Sequence, residues 1–381
     1  MCLTLAPEVV TVTVLKEQQV ASYDVVVAGG GPAGLSAALT LSRARRSVLV
    51  VDAGRPRNGA AGHVHNYLGR EGTPPAELLA LGRAEVQSYG GRVVGGTVVS
   101  AERTAGPEGG FRVELADGSR VDARRLLVTT GLVDELPDVP GVAQRWGRDV
   151  LHCPYCHGWE VRDQALGVLA TGPLSLHQAL TFRQWSVDVT LFLHTAPELT
   201  ADQAEQLSAR GIEVVTGLVE ALEVNDDRLT GVRLRDGRVF ARQAVVVGPR
   251  AVARAGLLTS LGLHPAEQKI DGHVVGSVVP ADATGATAVP GVWVAGNVAD
   301  LRAQVLSSAA AGLGVAAAIN ADLIAQDTHL AVAAQRARRA ATGAATATAG
   351  TTGAVFSARG EQDVCDMVLG ERRHGLQPDP R

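Results

Sequence analysis

Four cysteines in 381 residues are too few for a disulfide scaffold. Aromatic residues make up only 3% of the chain, which argues against a base-stacking platform for single-stranded nucleic acid. Lysine is nearly absent, occurring at Lys16 and Lys269, and the formal net charge is -4. A nucleic-acid clamp needs a clustered basic surface, so no nucleic-acid partner is expected. No uninterrupted apolar run reaches the roughly 18 residues of a membrane helix. The best candidate, Ala309 to Ile319, is short and Gly-rich and reads as a buried helix. The first residues lack a basic segment followed by a long apolar one, so no signal peptide is expected. The expectation is a cytoplasmic protein without a membrane partner. In that compartment a close cysteine pair is redox-active or metal-binding more often than structural.

What is present is apolar bulk and glycine. Hydrophobic residues account for 46% and charged residues for 19%, enough for a sizeable core. The length suggests two domains. Glycine, at 44 residues, exceeds the usual 7% or so.

The first β-α-β unit comprises YDVVVA, a small-residue helix PAGLSAALTLSRA and the strand SVLVVDAG. Strands follow near 92–99, 111–115 and 125–129, before Pro137 and Pro140 break the chain. A second β-α-β rhythm starts at 166–170, with helices over 174–185 and 201–209 and strands at 187–193 and AVVVG. After VWVAGNV comes a long Ala-rich helix to about 325. From about 331 the low-complexity composition suggests a flexible linker, and the tail a short helix around Gln362 to Leu369.

Gly29-x-Gly31-x-x-Gly34 follows a strand and opens a helix, and Asp52 ends the next strand. In that context the pattern binds a dinucleotide. Gly29 permits the tight turn, Gly31 lets the backbone reach a pyrophosphate, and Gly34 lets helix and strand pack closely. The helix N-terminus, at Pro32 and Ala33, offers amides and a positive dipole end, and Asp52 an acceptor for ribose hydroxyls. Two later elements, Thr129-Thr130-Gly131 and Gly291 to Asn297, suggest a ligand long enough to span the domain. FAD is such a ligand.

Cys153-Pro-Tyr-Cys156, followed by His157 and preceded by His152, can close a small disulfide. A helix start there stabilises a thiolate, and a histidine can carry the proton that dithiol chemistry moves. Zinc is the rival for such a cluster. No second close pair exists, Cys2 and Cys365 lie near the ends, and no metal is expected.

Together these segments, with His65-Asn66-Tyr67-Leu68-Gly69 and the closing VWVAGNVADLRAQ, resemble the low-molecular-weight thioredoxin reductase family over roughly residues 22–325. The resemblance implies an α/β fold with two Rossmann-like three-layer domains. A discontinuous FAD domain (22–142 and 266–328) would surround an inserted nicotinamide-type domain (143–265) carrying the CxxC, with 329–381 as linker and tail. It implies a homodimer. It also implies that Cys156 faces the flavin and Cys153 exchanges with substrate. Cofactor contacts are expected from Gly29, Gly31, Pro32, Ala33, Gly34, Asp52, Asn66, Val98, Thr130, Gly131, Gly296, Asn297 and Gln304, the last three toward the flavin end.

Three departures from the family pattern matter. The inserted domain reads Ala170-Thr171-Gly172-Pro173 where the family has a second glycine fingerprint. A Cβ at 170 and a proline without an N–H both oppose pyrophosphate binding. Leu193-His194-Thr195-Ala196 lacks the arginines that hold a 2′-phosphate. The acid after the second cysteine is His157, and the Asp after Gly296 is Asn297. These features are similar to the dithiol oxidase branch of the gliotoxin and holomycin type. That branch implies a small dithiol substrate, molecular oxygen as acceptor, and catalysis by Cys153, Cys156 and His157. The alternatives are an NAD(P)H-dependent thioredoxin-disulfide reductase, acting on a small redox protein, and a flavin-bearing redox sensor.

Overall fold

The computed structural model describes residues 20–105 and 109–348. The chain opens with β1 (Ala21–Ala28), α1 (Pro32–Arg43), β2 (Val48–Asp52) and α2 (Pro75–Ser88). Next come β3 (Arg92–Gly95), β4 (Val98–Arg103), β5 (Phe111–Leu115) and β6 (Arg120–Val128). After β7 (Leu132–Glu135) and α3 (Val142–Arg145) follow β8 (Val150–Leu151), α4 (Pro154–His157), β9 (Leu166–Leu169), α5 (Leu174–Phe182), β10 (Val189–Phe192) and α6 (Ala201–Ala209). Five strands continue, β11 (Glu213–Val215), β12 (Val219–Asn225), β13 (Arg228–Leu234), β14 (Val239–Ala241) and β15 (Ala244–Val247). The chain then forms β16 (Arg250–Ala253), β17 (Ala266–Ile270), β18 (His273–Val278), β19 (Val292–Val294) and α7 (Val305–Thr348).

The result is α/β with two Rossmann-like sheets. The first has the order β3-β2-β1-β6-β5-β4, with β19 also paired to β6. β3, β2, β1, β6 and β19 are parallel, and β5 and β4 add antiparallel hairpin strands. The second, β11-β10-β9-β15-β8, is parallel throughout. Its strands β8, β9, β10 and β15 are buried on both faces, as expected of a parallel sheet, and the edge strand β11 is partly exposed. Along β15, Ala244 and Val246 enter one core while Val245 and Val247 enter the other, the period-two alternation of a pleated strand. The helices α5 and α6 lie on the first of these cores, and the antiparallel strands β12-β13-β14 close the second.

Several elements depart from the sequence reading. Only Pro75, Leu79 and Val86 are buried on α2, a stripe too thin to announce a helix, and it was not anticipated. The sheet β17-β18-β16-β7 was also not anticipated, because its strands are short, four to six residues, and β7 and β16 pair across more than a hundred positions. The strand expected at 92–99 is broken at Gly95-Gly96 into β3 and β4. Leu257, Leu258 and Leu263 share a core with Val26, Leu126 and Val294 of the first sheet. Val139 and Val142 share a core with Val245 and Val247 of the second. The expected linker after 331 is helical to Thr348, because alanine is the strongest helix former and a repetitive Ala-rich segment keeps that propensity. The helix expected around Gln362 to Leu369 lies outside the described residues, as do Cys2 and Cys365.

The described chain divides into two units, one ending at Ala321 and one starting at Asp322. By length and composition α7 is apolar enough to cross a membrane, over Val305–Ala341. Within the first unit its Val315, Ala316 and Ile319 are buried. An ideal Cβ on Gly312 would lie 2.1 Å from the Ala33 carbonyl, so the start of α7 crosses α1 in close contact.

Candidate active site

A cavity of about 780 Å³ runs from the turn between β1 and α1 to the cysteine pair. Gly29, Gly31, Pro32 and Ala33 line one end and Cys153, Cys156 and His157 the other. Asp52, Val98, Thr130, Gly131, Gly296, Asn297 and Gln304 also line it. Gly34 and Asn66 do not.

The glycine turn is built by close approach. Gly29 has φ +111°, and a Cβ there would sit 2.5 Å from the Thr129 carbonyl. A Cβ on Gly34 would sit 1.9 Å from the Gly29 carbonyl, so that position closes the turn on itself. Gly31, by contrast, would place a Cβ in open space. It is the N-cap of α1 and has no side-chain cap, so the first-turn amides are left for a ligand. The Asp52 carboxylate stands against Gly30 and accepts the Gly54 N–H at 3.2 Å. A bare amide cradle, an acid beside it and a long cavity fit the pyrophosphate, ribose and length of FAD.

The other expected cofactor residues have structural tasks as well. Thr130 donates to the Arg254 carbonyl at 2.5 Å, and Arg254 N–H returns to Gly131 O at 2.9 Å. The two chain crossings between the sheets are thereby joined. Asn297 donates to the carbonyls of Asp300 (3.0 Å) and Ala303 (2.8 Å), shaping the turn that presents Gln304. Gln304 Nε2 lies 3.8 Å from Cys153 Sγ. Asn66 adopts φ +60° and donates to the Tyr155 carbonyl at 2.5 Å, while its N–H bonds Glu71 at 2.8 Å. It grips the redox turn from outside the cavity.

Cys153 and Cys156 form a disulfide across the first turn of α4, with a Cα–Cα distance of 5.2 Å. Cys153 is the N-cap. Trp185 packs edge-on to Tyr155 and so close to Gly158 that a Cβ there would meet the indole at 2.8 Å. His65 extends the grip, with Nδ1 2.6 Å from Glu71 and Nε2 3.4 Å from Glu160.

Two histidines flank the disulfide. Burial pushes His157 below the ordinary imidazole range, opposed by Glu160, and its Nδ1 is buried with no hydrogen-bond partner. His152 is lowered by burial first and then by the charge of Arg57. Both are therefore neutral near pH 7 and able to accept a proton. The sequence reading missed Arg57, Arg254, His63 and His65 in the cavity wall. His63-Val-His65 beside Asn66 was a usable signal. Arg57 was not legible, because its bidentate pair with Asp134 (2.6 and 2.8 Å) spans 77 positions.

In the inserted segment Ala170 is buried, and Pro173 is the N-cap of α5. The Thr171 N–H is taken by Ser175 Oγ at 3.3 Å. His194 has φ +44° and uses Nδ1 to accept the Val219 N–H at 3.0 Å. Burial lowers its pKa, so the segment that lacks the family's phosphate-binding arginines holds a neutral ring engaged with backbone. Among the described residues no group of three or more His, Cys, Asp or Glu is arranged to hold a metal ion.

The fold and site define a flavin-dependent disulfide oxidoreductase. The chain belongs to the pyridine nucleotide-disulphide oxidoreductase family, whose pattern matches residues 23–323 and whose cofactor is FAD. It is 33% identical over 258 residues to thioredoxin reductase tcpT of Claviceps purpurea, covering 63% of this chain and 78% of that one. It is 28% identical over 319 residues to thioredoxin reductase sirT of Leptosphaeria maculans, covering 80% and 95%. Among solved structures, HlmI is 47% identical with a TM-score of 0.77, over 84% of this chain and 98% of that one.

Proposed function

We propose that the protein oxidises a small dithiol to its disulfide through Cys153 and Cys156, with oxygen as the final electron acceptor. The observation that carries this reading is an asymmetry between its two nucleotide-type turns. The glycine turn at 29–34 is bare and opens on the disulfide cavity, whereas the turn at 170–175 is blocked by Ala170, Pro173 and the Ser175 hydroxyl.

Gly29 to Gly34 and Asp52 would hold the dinucleotide part of FAD, and the wall near Gly296 and Asn297 its far end. FAD supplies a two-electron acceptor that oxygen can reoxidise. A substrate thiolate attacks Cys153 Sγ, and a neutral histidine, His157 or its neighbour His152, takes the proton of the second substrate thiol. The Cys153–Cys156 bond breaks, a mixed disulfide forms on Cys153, and Cys156 leaves as a thiolate. The second substrate thiolate attacks the substrate sulfur of that mixed disulfide. Cys153 is expelled and the substrate leaves as a disulfide. Closing Cys153–Cys156 again is a two-electron oxidation, and FAD held in the same cavity would be the acceptor of that electron pair.

A second reading, an NAD(P)H-dependent reductase, is favoured by the names of tcpT and sirT. One anaerobic experiment separates the two. The yellow protein is mixed with NADPH or NADH, and separately with dithiothreitol, and flavin absorbance is followed. Bleaching by dithiol alone, with peroxide formed on readmitting air, is expected. Rapid bleaching by a nicotinamide would sink the oxidase reading, and no bleaching by either reagent would point to a redox sensor. Cys156→Ser should retain FAD and lose dithiol turnover.

A further inference from the structure

An unneutralised cation lies across the glycine turn. In the first sheet β1 sits between β2 and β6, and the turn stands at its C-terminal end. Thr130 and Gly131 follow β6, and the Thr130 nitrogen is 3.1 Å from where a Cβ on Gly29 would sit. Arg254 is pinned there. Its N–H donates to the Gly131 carbonyl at 2.9 Å, and its own carbonyl accepts the Thr130 hydroxyl. Its Nη1 donates to the Arg55 carbonyl at 3.1 Å, in the loop that follows β2. A side chain anchored beside β6 that reaches the loop after β2 passes over the end of β1, across two strand spacings of about 5 Å each. Both arginines line the cavity.

Contacts within the chain do not call for charge at this place. Among the described residues the side chain of Arg254 bonds only that neutral carbonyl, and neither Arg254 nor Arg55 forms an ion pair. Asp134 is the carboxylate that faces Arg254, and Arg57 already holds it in a bidentate pair. Asp52, beside the turn, turns one oxygen to the Gly54 N–H and the other toward Arg83. Partial burial and then the charge of Arg55 lower the Arg254 pKa. Two like charges therefore stand over the bare first-turn amides of α1, and no carboxylate of the chain answers them. Those amides supply only about half a positive charge, whereas a guanidinium offers a full one in a fork that matches phosphate oxygens.

We propose that Arg254, with Arg55 beside it, clamps the pyrophosphate of FAD onto the glycine turn, and that the phosphates in turn relieve the like-charge contact between the two arginines. The clamp goes beyond the functional reading above, since an oxidase and a reductase would use it alike.

The test uses the full-length protein with Arg254→Met, which keeps the length and loses the charge, and Arg254→Lys, which keeps the charge. FAD is titrated into the deflavinated proteins and followed by its fluorescence, and ADP, which carries the same pyrophosphate, is titrated by calorimetry. Arg254→Met should bind FAD and ADP each at least tenfold more weakly, with the gap to wild type narrowing as salt is raised. Arg254→Lys should recover most of the affinity. Without FAD, Arg254→Met should melt at or above the wild-type temperature, because one of two like charges has gone. Affinities for FAD within about twofold of wild type would overturn the proposal. So would a loss for FAD with none for ADP, which would put the guanidinium at the flavin end. A lower melting temperature without FAD in both variants would also overturn it, by making the side chain structural. None of these readouts needs turnover, so failure of the dithiol oxidase reading leaves them unaffected.

Discussion

Glycines 31 and 34 sit three positions apart and do different work. Gly34 is a packing glycine, since a Cβ there collides with the Gly29 carbonyl at 1.9 Å. Gly34→Ala should destabilise the fold by about 1–3 kcal/mol and shed FAD, seen as a lower thermal midpoint and a colourless protein. Gly31 meets open space and has φ -77°, which alanine adopts freely. Gly31→Ala should therefore melt within a degree or two of wild type in the absence of FAD, yet bind FAD at least tenfold more weakly in a titration. Equal melting of the two variants would contradict this division. The tight turn at Gly29 and Gly34 and the Cys153–Cys156 disulfide were legible because turn geometry and thiol spacing are local properties. The contacts of Asn66 and Gln304 were not, because their partners, the Tyr155 carbonyl and Cys153 Sγ, are 89 and 151 positions away.

Among the elements, α4 is the one whose placement controls chemistry. It has four residues, too short to hold itself, since a single turn fixes more dihedrals than its hydrogen bonds offset. Its position comes from Asn66 on one side and Trp185 on the other. Asn66→Ala should leave the FAD content unchanged and slow flavin reduction by dithiol, measured by stopped flow. Loss of FAD with an unchanged rate per remaining flavin would return Asn66 to a cofactor-binding role. The strands of the second sheet were legible as short apolar runs because both their faces are buried. The helix α2 was not, because it buries little, and the strands β7, β16, β17 and β18 were not, because they are short and β7 and β16 pair across more than a hundred positions.

At the scale of the molecule, three histidines couple stability to acid. His152, His157 and His194 are each held below 6.5, in every case by burial first. The unfolded chain binds those protons more readily than the folded one. They therefore leave stability unchanged well above 6.5 and reduce it as pH falls from there through their lower folded values. Thermal midpoints should be level from pH 7 to 8 and fall as the pH drops below 6.5. His194→Asn, which keeps an acceptor for the Val219 N–H, should flatten that fall. Asp24 and Asp282 are lowered from 3.8, so their contribution is lost only in a second, more acidic window.

The amino-acid sequence by itself determined the two β-α-β rhythms, the cofactor-type glycine turn, the redox pair and the failure of the second turn to match a nicotinamide site. Each of these is a pattern within a few dozen residues, where backbone freedom, hydrophobic period and thiol spacing act directly. Only the tertiary structure decided that the disulfide opens onto the same cavity as the glycine turn. It also decided that Leu257, Leu258 and Leu263 pack with the first sheet, that the Ala-rich segment after 331 continues a helix, and that Asn66 grips α4. Those outcomes depend on which distant surfaces bury one another, and that is settled by packing across the whole chain.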